Sequence, residues 1–217
     1  MDKNRLTREE INTPMIVDYL EMGNLDSQNV LLILHGYGQN AEIIENSFKD
    51  LIKETDDYHI IIPNGPFPIP KVRNDNVLYR FAWYFFNKYE SRYFIDFDIP
   101  RNILKNLLLN IAPTKEVTIL GYSQGGYLAP FVGDCIKLTK TIIGINCKFR
   151  DDMLPENLNF NIYHIHNRQD PIVDYQPALE GHNQTAKKTT KEARHFGLES
   201  NKHEITEEVI ATLKSLL

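Results

Sequence analysis

Gly121-Tyr122-Ser123-Gln124-Gly125-Gly126 is the stretch on which the fold turns. It satisfies G-x-S-x-G, a pattern that means little until its flanks are known. Before it, Lys115-Glu116-Val117-Thr118-Ile119-Leu120 has the composition of a buried strand, and after it Tyr127-Leu128-Ala129-Pro130-Phe131-Val132 opens an apolar segment of helical length. The serine therefore falls on a strand-to-helix corner. Such a corner imposes a strained backbone on the serine, and glycine at 121 and 125 lets neighbouring backbone approach where a Cβ would collide. The hydroxyl then stands out at the carboxyl edge of a sheet. The plain alternative, a glycine-rich turn with an incidental serine, is disfavoured by the strand and helix on either side.

Working outward, residues 30–34 (Val30-Leu31-Leu32-Ile33-Leu34) form an unbroken apolar run, as expected of a central strand covered on both faces. The glycine-containing His35-Gly36-Tyr37-Gly38-Gln39-Asn40 follows at its carboxyl end, where a loop can aim N–H groups into a site. Residues 15–22 have strand character and suit an antiparallel edge. Further strands are predicted over 58–62, 141–145, 160–166 and 192–198, and helices over 41–55, 99–111 and 207–217, the last with Thr206 as N-cap. Residues 63–70 hold four prolines and are expected to be irregular, while the aromatic run at 81–86, with Tyr89 and Tyr93, has no assignable regular structure. Strands alternating with helices, joined by connections too long for hairpins, imply a mostly parallel sheet with helices on both faces, whose chemistry lies at the carboxyl ends of the strands.

The bulk properties agree with one α/β domain over residues 1–217. The chain is 42% hydrophobic and 24% charged, with a formal net charge of −5, and its basic residues are scattered. That distribution disfavours nucleic acid as a partner, because phosphate binding needs concentrated Lys and Arg. The densest basic patch, Lys187-Lys188 with Lys191, fits a solvated helix face. The first ten residues are charged and unlike a secretory signal, and no apolar stretch reaches the roughly 20 residues of a membrane span, so a cytoplasmic protein is expected. Two cysteines make no disulfide framework, and Cys135 is expected in the core.

A serine hydroxyl is a poor nucleophile at neutral pH and needs a base whose tautomer is fixed by a carboxylate. Two residues downstream of Ser123 suit these roles. Asp170, in Asn167-Arg168-Gln169-Asp170-Pro171-Ile172-Val173, follows a strand and shares its carboxyl edge with Ser123; His203 lies between the last strand and the last helix. Asp174 is the rival acid and His195 the rival base, but the latter falls inside a strand. His164 and His166 alternate along a strand and share a face, which permits a metal site; no third ligand at suitable spacing supports it. His35 is read as structural.

These residues together resemble the phospholipase/carboxylesterase branch of the α/β-hydrolases, which includes acyl-protein thioesterases. The resemblance runs from about Val30 to Leu217 and is carried by Leu34-His35-Gly36-Tyr37-Gly38, by Gly121-Tyr122-Ser123-Gln124-Gly125-Gly126, by Asp170-Pro171-Ile172-Val173 and by His203-Glu204-Ile205. It implies an α/β-hydrolase fold without a large cap, a Ser123, Asp170, His203 triad, and an oxyanion hole from the backbone N–H groups of Tyr37 and Gln124. Trp83-Tyr84 is similar to an aromatic motif that borders the site in this family, which makes both candidate substrate contacts, although packing in the core or at the rim is the plainer reading of this aromatic segment. The chain departs from the family at Asn167 and Lys202, where glycine is usual, and at Asn146-Cys147-Lys148, where a Ser-Gly pair is common. The expected activity is cleavage of small to medium acyl esters or thioesters through an acyl-enzyme, with no metal or organic cofactor, on a small-molecule substrate; a homodimer stays open. A non-catalytic binding protein on the same fold and a serine peptidase are the alternatives.

Overall fold

The structure, a computed structural model, describes residues 14–73 and 76–217. The charged first ten residues, expected not to be a secretory signal, lie outside the described residues. In chain order the elements begin with β1 (Tyr19–Gly23), β2 (Asn29–Leu34), α1 (Ala41–Ser47), α2 (Lys49–Ile52) and β3 (His59–Pro63). Six short strands follow, β4 (Phe67–Pro68), β5 (Lys71–Arg73), β6 (Asn76–Leu78), β7 (Phe81–Ala82), β8 (Phe85–Asn87) and β9 (Arg92–Ile95), and then α3 (Asp98–Ile111). The chain continues through β10 (Glu116–Tyr122), α4 (Gln124–Cys135), β11 (Thr139–Ile145), β12 (Asn161–Asn167), α5 (Tyr175–Ala186), β13 (Ala193–Leu198) and α6 (Glu207–Lys214).

Seven strands make one sheet in the order β1-β3-β2-β10-β11-β12-β13. Every neighbouring pair is parallel except β1 with β3. Because strand side chains alternate between faces, the apolar run of β2 divides: Val30, Leu32 and Leu34 join one core with residues of α3 and α4, and Leu31 and Ile33 join another with residues of α1, α2 and α6. Both faces are thus covered, and all five side chains are fully buried. This is the α/β-hydrolase architecture implied by the resemblance, without a large cap. No helix among the described residues is long and apolar enough to cross a membrane.

Several elements differ from expectation for local reasons. The helix predicted over 41–55 breaks at Phe48, whose N–H donates to both Ile44 O and Glu45 O as the chain turns to bury its ring. The proline-rich 63–70 is not wholly irregular: Phe67–Pro68 pairs with Phe81–Ala82 in a two-stranded ribbon, where the missing Pro68 N–H is tolerated. The unassigned aromatic segment contains β7, β8 and β9, strands of two to four residues that are too short to display a period of two. Lys187, Lys188 and Lys191 do not line a helix, since α5 ends at Ala186; Lys188 instead donates to Leu154 O at 2.8 Å. Cys135 is only half-buried, whereas Cys147 is buried, and both thiols are free. Thr206 does cap α6, its hydroxyl accepting from Val209 N.

One part of the interior is not apolar. His164 and His166 on β12, His195 on β13 and His182 on α5 gather with ring centroids 5.0 to 5.6 Å apart along the contacts that join them. His164 bridges Cys147 O and the His195 ring, Tyr175 closes on His195 Nε2, and His182 Nδ1 is buried without a protein partner. Among the described residues no group of three or more His, Cys, Asp or Glu is arranged to hold a metal ion. Burial, reinforced by mutual repulsion of neighbouring charges, pushes His164 well below its usual value of 6.5, and pushes His182 and His195 down to about 4.

A depressed folded-state pKa means that the unfolded chain takes up protons first as pH falls, so the stability held by neutral histidines is complete above about 6.5 and lost progressively toward 4. Thermal melts should therefore show a falling Tm as pH drops from 7 through this window, and His182→Leu should flatten that dependence. A Tm that is level or rising over the same range contradicts the assignment.

Candidate active site

β10 delivers Ser123 in a conformation that few side chains adopt, with φ 49° and ψ −117°. The corner closes because two glycines leave room: a Cβ on Gly121 would stand 2.3 Å from Gly125 O, and one on Gly125 would stand 2.4 Å from Leu34 O. Ser123 N donates to Ile145 O at 2.8 Å, and Ser123 O accepts from Gly126 N and Tyr127 N as α4 begins. The corner is thereby fixed to β11 on one side and to its own helix on the other.

Asp170 sits in the loop after β12 with a fully buried carboxylate. Its Oδ1 accepts from Ile172 N at 2.8 Å and Val173 N at 3.0 Å, which leaves Oδ2 for His203 Nδ1 at 2.7 Å. Burial pushes this carboxyl up, yet the hydrogen bonds from His203 and the two backbone N–H groups outweigh it and hold the group below its usual 3.8. Donation from Nδ1 makes Nε2 the free acceptor of the neutral ring, and Nε2 lies 2.9 Å from Ser123 Oγ. The structure thus joins Ser123, His203 and Asp170 in one line of hydrogen bonds. Asp174 is the N-cap of α5 and makes no such contact among the described residues, and His195, half-buried, belongs to the histidine group around His164.

The loop after β2 brings Tyr37 to the same edge. Among the described residues, neither Tyr37 N–H nor Gln124 N–H donates to a protein acceptor, so both are available to an oxyanion. The surrounding groups are tied down: His35 Nδ1 donates to Gly36 O, its Nε2 accepts from Gly65 N, and Gly36 N donates to Gln39 Oε1. His35 needs a neutral ring for this pair of bonds, and burial depresses it to about 4.

Trp83 and Tyr84 require a correction as substrate contacts. Trp83 is 0% exposed and Tyr84 7%, so neither offers Ser123 an open surface. Trp83 Nε1 donates to His35 O at 2.8 Å; Trp83 N donates to Gln124 Oε1 at 2.9 Å, and Gln124 Nε2 donates to Tyr84 O at 2.8 Å. The pair thus holds the His35 and Gln124 segments together. Aromatic surface at the edge comes from Tyr37, 58% exposed and edge-on to Phe85, which packs on Phe67. A cavity of about 310 Å³ adjoins His203, lined by Gln39, Ser47, Tyr122, Glu204 and Ile205. Larger cavities of about 780 and 540 Å³ contain none of the three joined residues.

Sequence reasoning overlooked the Gln124 side chain, which it treated only as a backbone donor, and the polar side chains that hold the His203 loop. Lys202, a departure from the family pattern, is an exposed surface residue 3.7 Å from the Glu204 carboxylate.

A parallel sheet with one antiparallel edge, a serine on the corner after β10 and partners from later loops define an α/β-hydrolase. Within that class the chain belongs to the Phospholipase/Carboxylesterase family, whose sequence profile matches residues 18–217, and it is a hydrolase enzyme. No curated protein matches it by sequence. Among solved structures it is similar to esterase PE8, with TM-score 0.73 at 16% identity, covering 92% of this chain and 97% of that one. It is also similar to the Bacillus cereus carboxylesterase, with TM-score 0.69 at 15% identity over 93% of each chain. The Zea mays acyl-protein thioesterase 2 gives TM-score 0.66 at 14% identity over 94% and 97%. At such identities these likenesses speak to the fold.

Tyr37→Ala keeps the backbone donor and should change mainly substrate preference, by about tenfold, whereas Tyr37→Pro deletes it and should lower kcat by about 10² to 10³. Ester hydrolysis by both variants, with circular dichroism to establish folding, checks this; equal losses contradict a backbone role.

Proposed function

We propose that the protein is a serine hydrolase that cleaves carboxylic esters or thioesters of small to medium acyl groups through a covalent acyl-enzyme. The observation that carries this reading is the line from Ser123 Oγ through His203 to Asp170, with distances of 2.9 and 2.7 Å. His203 Nε2 takes the hydroxyl proton as Oγ bonds to the acyl carbon, and the carbonyl oxygen becomes an oxyanion facing the N–H groups of Tyr37 and Gln124. Collapse breaks the bond to the alcohol or thiol, which leaves with the proton from Nε2. Water then repeats the sequence: His203 takes its proton, the hydroxyl oxygen attacks the acyl carbon, and Ser123 recovers its proton as the acid departs. Asp170 stays ionised throughout, holding the tautomer and stabilising the imidazolium.

Acyl specificity is supported by the aromatic rim of Tyr37, Phe85 and Phe67 beside the oxyanion loop, an apolar surface suited to a hydrocarbon chain. A chain-length series of paired esters and thioesters, with a matching amide, measures the preference; this reading expects turnover of esters or thioesters and little of amides, and faster amide turnover would favour the peptidase alternative.

Ser123→Ala should lower kcat by about 10⁴ to 10⁶ in a folded protein, and Asp170→Asn should cost far more activity than Asp174→Asn. Steady-state ester hydrolysis tests both. Near wild-type turnover by Ser123→Ala removes the nucleophile assignment, and the reverse ranking of the aspartates removes the acid.

A further inference from the structure

His203 lies in a connection, residues 199–206, that has no regular structure to hold it. Its side chain must nevertheless keep Nε2 within reach of Ser123 and Nδ1 within reach of Asp170. Three consecutive carbonyls around it are each met by a side chain. Asn167 Nδ2 donates to Lys202 O at 2.8 Å and to Glu204 O at 3.3 Å; Tyr122 OH donates to His203 O at 2.6 Å; Asn146 Nδ2 donates to Glu204 O at 3.2 Å.

The three donors come from the carboxyl ends of three adjacent strands. Tyr122 ends β10, Asn146 directly follows β11, and Asn167 ends β12. Asn146 Oδ1 accepts from Asn167 N at 3.0 Å, which links the two amides, and the Tyr122 ring lies 5.3 Å from the His203 ring. Asn146 and Asn167 are both 0% exposed, and Asn146 holds φ 46°, a left-handed conformation that asparagine tolerates better than most residues.

We propose that Tyr122, Asn146 and Asn167 form a carbonyl clamp that positions the His203 imidazole, an inference that rests on the serine-hydrolase reading above. Buried carbonyls need donors in any fold. What sets these apart is their origin: β10 also carries the nucleophile, and β12 leads into the acid loop. One sheet edge therefore fixes all three members against each other, with the asparagines standing where the related family has Ser-Gly and Gly. They are positioning residues, since none donates to the reacting atoms.

Tyr122→Phe removes one hydroxyl and keeps the ring, Asn146→Gly removes the amide while permitting φ 46°, and Asn167→Ala removes the double donor. In folded variants, kcat for an ester substrate should fall about tenfold for Tyr122→Phe and about 10- to 100-fold for each asparagine, with KM nearly unchanged, because a small displacement of the base acts on chemistry more than on binding. The downfield proton NMR resonance of His203 Nδ1–H, identified by its loss in His203→Gln, should weaken or broaden in the same variants. If an asparagine variant does not fold, Tyr122→Phe carries the test. Wild-type kcat, a change confined to KM, or an unaltered resonance in folded variants overturns the clamp. Should the wild-type protein cleave neither esters nor thioesters, the functional reading fails, and the resonance still decides whether the three side chains position His203.

Discussion

At the corner after β10, backbone meets backbone with no space for a side chain between. Gly121 and Gly125 permit that contact, and it forces Ser123 to φ 49° with its hydroxyl at the sheet edge. Conformations of this kind cost on the order of 1–3 kcal/mol, and the surroundings over-determine this one. Ser123 N is held by β11, Ser123 O by the first turn of α4, and Gly125 by the end of β2. The strands pressing on the corner are the middle of the sheet, with residues fully buried on both faces. The strain at Ser123 is thus supported by the part of the molecule least able to relax.

Everything else that bears on the site arrives at the same edge, because parallel strands all end there. The loop after β2 supplies Tyr37, the loop after β12 supplies Asp170, and the connection after β13 supplies His203. Loops alone would leave these groups mobile, and the structure counters this with polar side chains that reach from one segment to the next. Trp83 and the Gln124 amide tie the loop after β2 to the start of α4, and two backbone N–H groups fix the Asp170 carboxylate. Rigid sheet and tethered loops divide the work between them.

How much was legible follows from where side chains carry a pattern. The apolar runs of β2, β10, β11 and β12 announced buried parallel strands, and the glycines around Ser123 announced the corner. The meeting of Asp170 and His203 with Ser123 at one sheet edge was legible because chain order and their places after strands left few rivals. By contrast α5 was invisible: its buried positions, Ala178, Gly181, His182 and Thr185, have helical spacing but are small or polar, so no apolar stripe marks them. The short ribbons between β3 and α3 give too few residues for any period. Similarity to a family motif makes Trp83 a candidate substrate contact, whereas the packing commits its indole N–H to His35 O. The asparagines were noticed as departures, but a departure in sequence does not disclose which carbonyl an amide will meet.

Trapping the covalent intermediate tests the role of Ser123 most directly. Purified protein is mixed with a p-nitrophenyl ester of a short acid, quenched in acid within milliseconds, and digested for mass spectrometry. An acyl-enzyme on Ser123 gives the mass of one acyl group on the peptide that contains Ser123, and no such mass in the Ser123→Ala protein. Acylation of a different residue, or hydrolysis by Ser123→Ala at the wild-type rate, would contradict it.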